Sequence, residues 1–301
     1  MHKGLIIVLV FILMCPVFTS AQSFYALRRD RDLIVGGGTG VARYFGELVN
    51  PGSVGKVRPN INVGAEYFFS RRISARTDLT WFQISGTDAT ANDDRVERNL
   101  SFFSNNIELN LTGAIQLFPN DKKFYQRPGF NVYGFAGVGL LRFNPKAVYQ
   151  GDKVALQPLQ TEGVKYSRMQ FVIPMGLGVK LKVNPWINIA VEGGYRETFT
   201  DYLDDISSRR YKDPSTLSSP LSVALSDRRK ERDPEYPLDF TAGVRGNPTS
   251  EDSYFILTAK VQFYVPTNFG NSRKLYNSKR KAYYKKPGGM FKTKRRKSGS
   301  R

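Results

Sequence analysis

Eight charged residues recur in segments that otherwise alternate apolar and polar side chains: Glu66, Asp78, Glu108 and Glu192 against Arg76, Lys180, Arg196 and Lys260. Two carboxylates with divergent pKa values could serve as general acid and base, or pass protons along a relay. In a narrow interior shielded from water the same groups pair instead, because an unpaired buried charge is costly. The equal numbers of each sign favour pairing. They predict a rigid, plugged lumen with negligible conductance in planar bilayers.

Nucleophilic chemistry finds little support. His2 is the only histidine and Cys15 the only cysteine, and both fall in a segment with the layout of a secretory leader. Lys3 supplies the positive start, Leu5 to Leu13 the apolar centre, and Thr19-Ser20-Ala21 the small residues for cleavage before Gln22. Residues 1–21 thus read as a signal peptide, since so short an apolar stretch does not span a bilayer. A lipidated Cys15 is disfavoured by Met14, where a small residue is expected. Without residues 1–21 the chain has no imidazole to activate a nucleophile, no disulfide and no Cys/His zinc site. The reading is non-enzymatic, with no cofactor and no small-molecule substrate.

Three further motifs could carry chemistry. Gly36-Gly37-Gly38-Thr39-Gly40-Val41 suggests a phosphate-cradling loop, but it lies inside a strand candidate with no amphipathic helix after it. Close backbone approach within a sheet explains it better. Asp201, Asp204 and Asp205 in Thr200–Ser207 offer hard oxygen ligands for Ca²⁺. Their spacing is not that of a defined calcium loop, which leaves a solvated, hydrogen-bonded loop base. The third motif is the C-terminal stretch 266–301. It holds thirteen Lys and Arg and no acid, including Arg273, Lys279, Arg280, Lys281, Lys285, Lys286, Lys294, Arg295, Arg296 and Lys297. Such a segment is expected to be disordered alone. Behind an export signal nucleic acid is excluded as its partner unless the tail faces outward. Anionic lipid headgroups, acidic protein faces or plain solvation remain. Between Gln22 and Val265 the chain carries 31 basic and 26 acidic residues, so the net charge of +19 belongs mainly to this tail.

The elements that must position these groups show period-two alternation in eight runs: Leu33–Tyr44, Pro59–Phe69, Ile73–Ser85, Ser101–Phe118, Phe130–Phe143, Met169–Val183, Ile187–Thr200 and Ser253–Val265. Their connections alternate between short and long. A hydrocarbon solvent satisfies no peptide group, so strands can cross it only as a closed sheet, apolar outside and polar within. The chain therefore reads as all-β: an eight-stranded antiparallel up-and-down transmembrane β-barrel over 22–265, with a disordered basic tail. Tyr67, Phe69, Trp81, Trp186, Tyr195 and Phe263 are placed near strand ends as interfacial aromatics. Export, short turns on one side and an even strand count place the barrel in the outer membrane with both termini in the periplasm. A soluble β-sandwich also alternates, but its inward face would rarely carry so many charges.

Thr200–Ser207 (TDYLDDIS), then Arg245-Gly246-Asn247-Pro248, then Asp252-Ser253-Tyr254-Phe255 resemble the PorG-like outer-membrane barrels of Bacteroidetes, components of the type IX secretion and gliding machinery. The resemblance covers roughly Leu33 to Val265 in strand layout. It implies a non-catalytic barrel that anchors or docks the periplasmic ring of that machinery. It also implies loop-structuring roles for Asp201, Tyr202, Asp204, Asp205, Gly246, Asn247 and Pro248. The basic tail is no feature of the resemblance. The alternative is an OmpA-like envelope-stabilising or adhesive barrel acting through its loops.

Overall fold

In the computed structural model the described residues are 31–50, 56–91, 95–120, 123–236 and 243–266. The expected signal peptide and the tail positions from Arg273 to Lys297 lie outside them. Ten strands form one antiparallel sheet: β1 (Leu33–Phe45), β2 (Arg58–Phe68), β3 (Ile73–Thr87), β4 (Ser101–Gln116), β5 (Phe130–Arg142), β6 (Pro145–Tyr149), β7 (Asp152–Ala155), β8 (Met169–Lys182), β9 (Ile187–Thr198) and β10 (Ser253–Val265). Eight of them close a barrel. Each pairs with its neighbours through β1-β2-β3-β4-β5-β8-β9-β10, and β10 returns to β1 from Leu33↔Val265 to Phe45↔Ser253. The β6–β7 hairpin continues the sheet beyond the barrel, joined to β4 at Phe103↔Lys146.

Register follows from the sequence pattern, because slipping one residue would turn every side chain to the opposite face. Ile61, Val63, Leu79, Leu109, Leu111, Ile115, Val138, Phe171, Leu177 and Val261 all lie exposed on the outside. Asn60, Asn62, Thr80, Asn110, Thr112, Gln116, Thr258 and Gln262 are buried inside. Relative to a barrel folded in water the arrangement is inverted, and it matches what a bilayer solvates: an apolar outer band over a polar interior.

Eight strands leave an interior just wide enough for side chains, so large residues need small ones opposite. Tyr133 and Phe135 on β5 stand in register with Gly178 and Gly176 on β8. A Cβ added at Gly178 would lie 2.4 Å from the Tyr133 ring. Gly178→Val is therefore expected to lower the urea midpoint of the folded barrel in detergent. The cost of such overpacking is about 1–3 kcal/mol, and an unchanged midpoint would show that Tyr133 has room to turn aside.

The connections at one end are short (residues 69–72, 117–129 and 183–186). At the other end they are long (46–57, 88–100, 143–168 and 199–252). β3 and β4 outrun their neighbours on the long-loop side, pairing up to Thr87↔Ser101. Trp81 consequently lies inside β3 and not at its end. It is level with the barrel rim, since its partner Ile107 also faces Arg142, the last residue of β5. Tyr67, Phe69 and Phe263 are exposed toward the short-turn end and Tyr195 toward the other.

The ion-paired lumen and the loop cap as candidate functional site

All eight charged residues singled out above point into the barrel and pair there. Lys180 on β8 donates to Glu66 on β2 at 2.6 Å, and the Ser74 hydroxyl donates to the same carboxylate at 2.7 Å. Arg76 on β3 bridges Glu192 on β9 at 2.7 Å and Asp78 at 3.1 Å. Lys260 on β10 meets Asp78 at 2.8 Å and also reaches Glu192. Arg196 pairs with Glu108 at 3.3 Å, while Tyr254 and Asn110 donate to that carboxylate. The Arg76 guanidinium lies 5.4 Å from the Tyr133 ring centre and 5.0 Å from that of Phe135. The Tyr133 hydroxyl donates to Glu192 at 2.8 Å. A void beside Arg76, Asp78 and Lys260 measures about 10 Å³, room for one water.

Toward the long-loop end the same inward positions turn apolar. Phe82 stacks on Tyr254 at 4.9 Å, and Tyr44 meets Phe102 edge-on at 4.9 Å. Ile84, Leu141, Val172 and Ile256 fill the remaining space. This layer continues into the loops through Leu48, Leu100, Phe143, Leu156, Leu203, Ile206 and Leu225. The lumen is thus closed twice, by ion pairs and by an apolar stopper shared with a packed loop cap.

Buried polar groups tie the cap together. Arg98 grips Asp88 with two bonds of 2.8 Å and donates to the carbonyl of Arg245. Arg245 pairs with Glu162 and also donates to Thr161 Oγ1 and the Ser226 carbonyl, both at 3.2 Å. Glu162 accepts the backbone N–H groups of Ser207 and Ser208 at 3.1 and 2.9 Å. The motif residues divide among these contacts. Asp204 accepts from the Tyr44 hydroxyl at 2.8 Å, and Asp252 accepts from the same hydroxyl at 2.5 Å. Asp205, in a left-handed conformation (φ 71°), accepts from Thr161 and Tyr166, each at 2.5 Å. Tyr202 stacks on Tyr166 at 4.6 Å. Gly246 packs on Ile206 and Glu47, the Asn247 N–H donates to Glu47, and Pro248 is exposed.

One sequence expectation changes here. Asp204 and Asp205 are hydrogen-bonded as expected, but they are buried, not solvated, because Leu203 and Ile206 draw the turn into the apolar core. Asp204 and Asp205 also engage different partners. Among the described residues no three or more His, Cys, Asp or Glu side chains gather into a group that could hold a metal ion. The glycine run lies inside β1, where a Cβ on Gly38 would stand 2.1 Å from the Ala259 carbonyl, so close strand approach accounts for it. Sequence reasoning missed Glu47, Asp88, Arg98 and Glu162. They are isolated charges in loops without periodicity, and nothing local marks them as partners.

Burial pushes the Asp201 carboxyl up to about 7, with Ser207 opposing and Glu47 and Glu162 adding to the rise. Burial likewise raises Asp205 to about 6, against the opposing pull of Arg245, Thr161 and Tyr166. Asp204 and Asp252 rise well above the ordinary range, again through burial first. A carboxylate raised on folding favours the folded state below its unfolded value near 3.9. That contribution is lost as pH climbs through the folded value. Protease resistance of the loops 143–168 and 199–252 is therefore expected to fall between pH 5 and 8. Resistance that rises over this range would mean that these carboxylates fold in their charged form.

Comparison with known proteins adds a family. The model described as "Domain of unknown function (DUF6089)" matches residues 6–217. No curated protein sequence matches the chain. Among solved structures it is similar to Neisserial surface protein A at 9% identity and TM-score 0.41, over 78% of this chain and 97% of that one. It is also similar to the N-terminal β-barrel domain of Pseudomonas aeruginosa OprF at 8% identity and TM-score 0.36, over 78% and 98%. The attachment invasion locus protein Ail of Yersinia pestis matches at 11% and 0.35, over 77% and 97%. Likeness at this level says nothing of function.

Proposed function

The chain belongs to the DUF6089 family, whose description names no activity, and on that footing we propose that it is a non-enzymatic barrel of the cell outer membrane that anchors an assembly and conducts nothing. The observation that carries this reading is the doubly closed lumen: four carboxylates neutralised by four cations beneath the apolar layer of Tyr44, Phe82, Phe102 and Tyr254. What remains for work is surface. In the finer reading both termini lie in the periplasm. There the short-turn end and the basic tail dock the periplasmic ring of the type IX secretion machinery, as the resemblance implies. The exposed Arg71, Arg72 and Lys123 at the short-turn end share the sign of the tail and support a common acidic partner. Its other neighbour is outer-membrane lipid; neither nucleic acid nor a small-molecule substrate is invoked.

A second reading, an OmpA-like envelope-stabilising or adhesive barrel, is favoured by the packed cap. A cleft of about 530 Å³ bordered by Arg95, Arg98, Tyr211, Arg229 and Val244 opens on it. Truncation after Val265 separates the two. Loss of secretion and of ring proteins co-purifying with the tagged barrel is expected for the docking role. Retention of both, with function lost on deleting part of 199–252, would establish the loop-based role. Stable large channels in planar bilayers would sink either version.

A further inference from the structure

Above the apolar band on one side of the barrel stands a group of cations without counter-ions. Arg142 ends β5 on the outward face, one step beyond exposed Leu140, in register with exposed Ile107 and Met169. Four residues on, Lys146 faces the same way, since it is in register with outward Phe103 on β4. Lys153 on β7 is in register with exposed Val148, and its ammonium lies 5.7 Å from the Phe103 ring centre. Arg168, just before β8, reaches Asn144 at 3.4 Å. Among the described residues none of the four makes an ion pair. The one carboxylate on the hairpin, Asp152, is in register with Tyr149, which packs on the cap core, and so belongs to the opposite face.

The eight mid-lumen charges neutralise one another, whereas this cluster of four outside it has no carboxylate partner among the described residues and is open to an external one. Its position selects one. The lowest member adjoins side chains that only hydrocarbon solvates, and an aromatic ring sits at the centre, as at a membrane–water boundary. Arg and Lys at that height meet lipid headgroups, and guanidinium forks match phosphate oxygens. We propose that Arg142, Lys146, Lys153 and Arg168 form a binding site for the phosphate-bearing headgroup of a lipid in the leaflet at the long-loop end. The inference rests on the membrane reading of the barrel.

The test reconstitutes the full chain in phosphatidylcholine vesicles containing phosphatidic acid and counts retained phosphatidic acid by native mass spectrometry after detergent extraction. Wild type is expected to retain it over phosphatidylcholine. Each cation replaced by Gln should weaken retention about fivefold, as for basic residues at an anionic membrane surface. Arg142→Lys and Lys146→Arg should keep it. The variant with all four replaced by Gln should lose retention; should it not fold, Lys146→Gln with Lys153→Gln, both on the hairpin outside the barrel, should still weaken it. Equal retention by wild type and variant overturns the site. Displacement by millimolar inorganic phosphate overturns the lipid as its source. Failure of the wild type to insert at all overturns the membrane reading and is recognised separately, by its mobility in unheated gels.

Discussion

Arg245→Ala is expected to open the loop cap while the barrel beneath stays closed. Arg245 is 2% exposed, and its guanidinium joins Glu162, Thr161 and the Ser226 and Asp205 carbonyls, all in the loops and none in the barrel wall. Removing it strands Glu162, itself 3% exposed, with a buried charge and only two backbone N–H donors. Breaking a buried pair by deleting one partner costs about 3–5 kcal/mol, against roughly 0.5 kcal/mol for most surface substitutions. Limited proteolysis should cut within 143–168 and 199–252, and the unheated protein should still migrate as a compact barrel. Arg245→Lys keeps the charge but not the fork and should be intermediate. Loops as resistant as in the wild type would show that the apolar core alone holds the cap.

The second large effect is expected inside the barrel. Arg76 touches Glu192 and Asp78 and lies over two aromatic rings. In Arg76→Ala, Lys260 alone must answer both carboxylates, and a flat body is lost from a close-packed interior. The same range, about 3–5 kcal/mol, is expected as a lowered urea midpoint in detergent. Pairing Arg76→Met with Glu192→Gln removes one charge of each sign and should recover most of the loss, which makes the coupling measurable as a double-mutant cycle. Conductance should stay negligible in both variants, because no stopper residue is hydrogen-bonded to Arg76, Glu192 or Asp78. A channel opened by Arg76→Ala alone would mean that the ion pairs are the only seal.

The barrel was legible in the sequence because each strand has one face for hydrocarbon and one for a polar interior, and a period of two cannot hide that contrast. The charged positions Glu66, Arg76, Asp78, Glu108, Lys180, Glu192, Arg196 and Lys260 fell on the polar face for the same reason. Their individual partners did not follow. The choice of Glu192 over Glu66 for Arg76 depends on which strands meet across the lumen, and alternation carries no such information. The cap was the larger omission. Its core takes single residues such as Leu48, Leu100, Leu156 and Leu203 from four connections, and no window of sequence displays them together. Tyr44, Phe82, Phe102 and Tyr254 occupy positions that alternation alone assigns to the polar face, so the apolar layer emerged only from the closed structure.

The Tyr44 hydroxyl has a consequence for assembly. Tyr44 stands near the end of β1, while its two acceptors, Asp204 and Asp252, lie in the last connection and just before β10. That three-way contact can form only once the first and last strands have zipped together. An open, half-inserted chain has nowhere to bury those two acids, and its long connections must stay loose in water. A protease or antibody that senses tightened loops therefore scores completed cylinders and passes over unfinished ones.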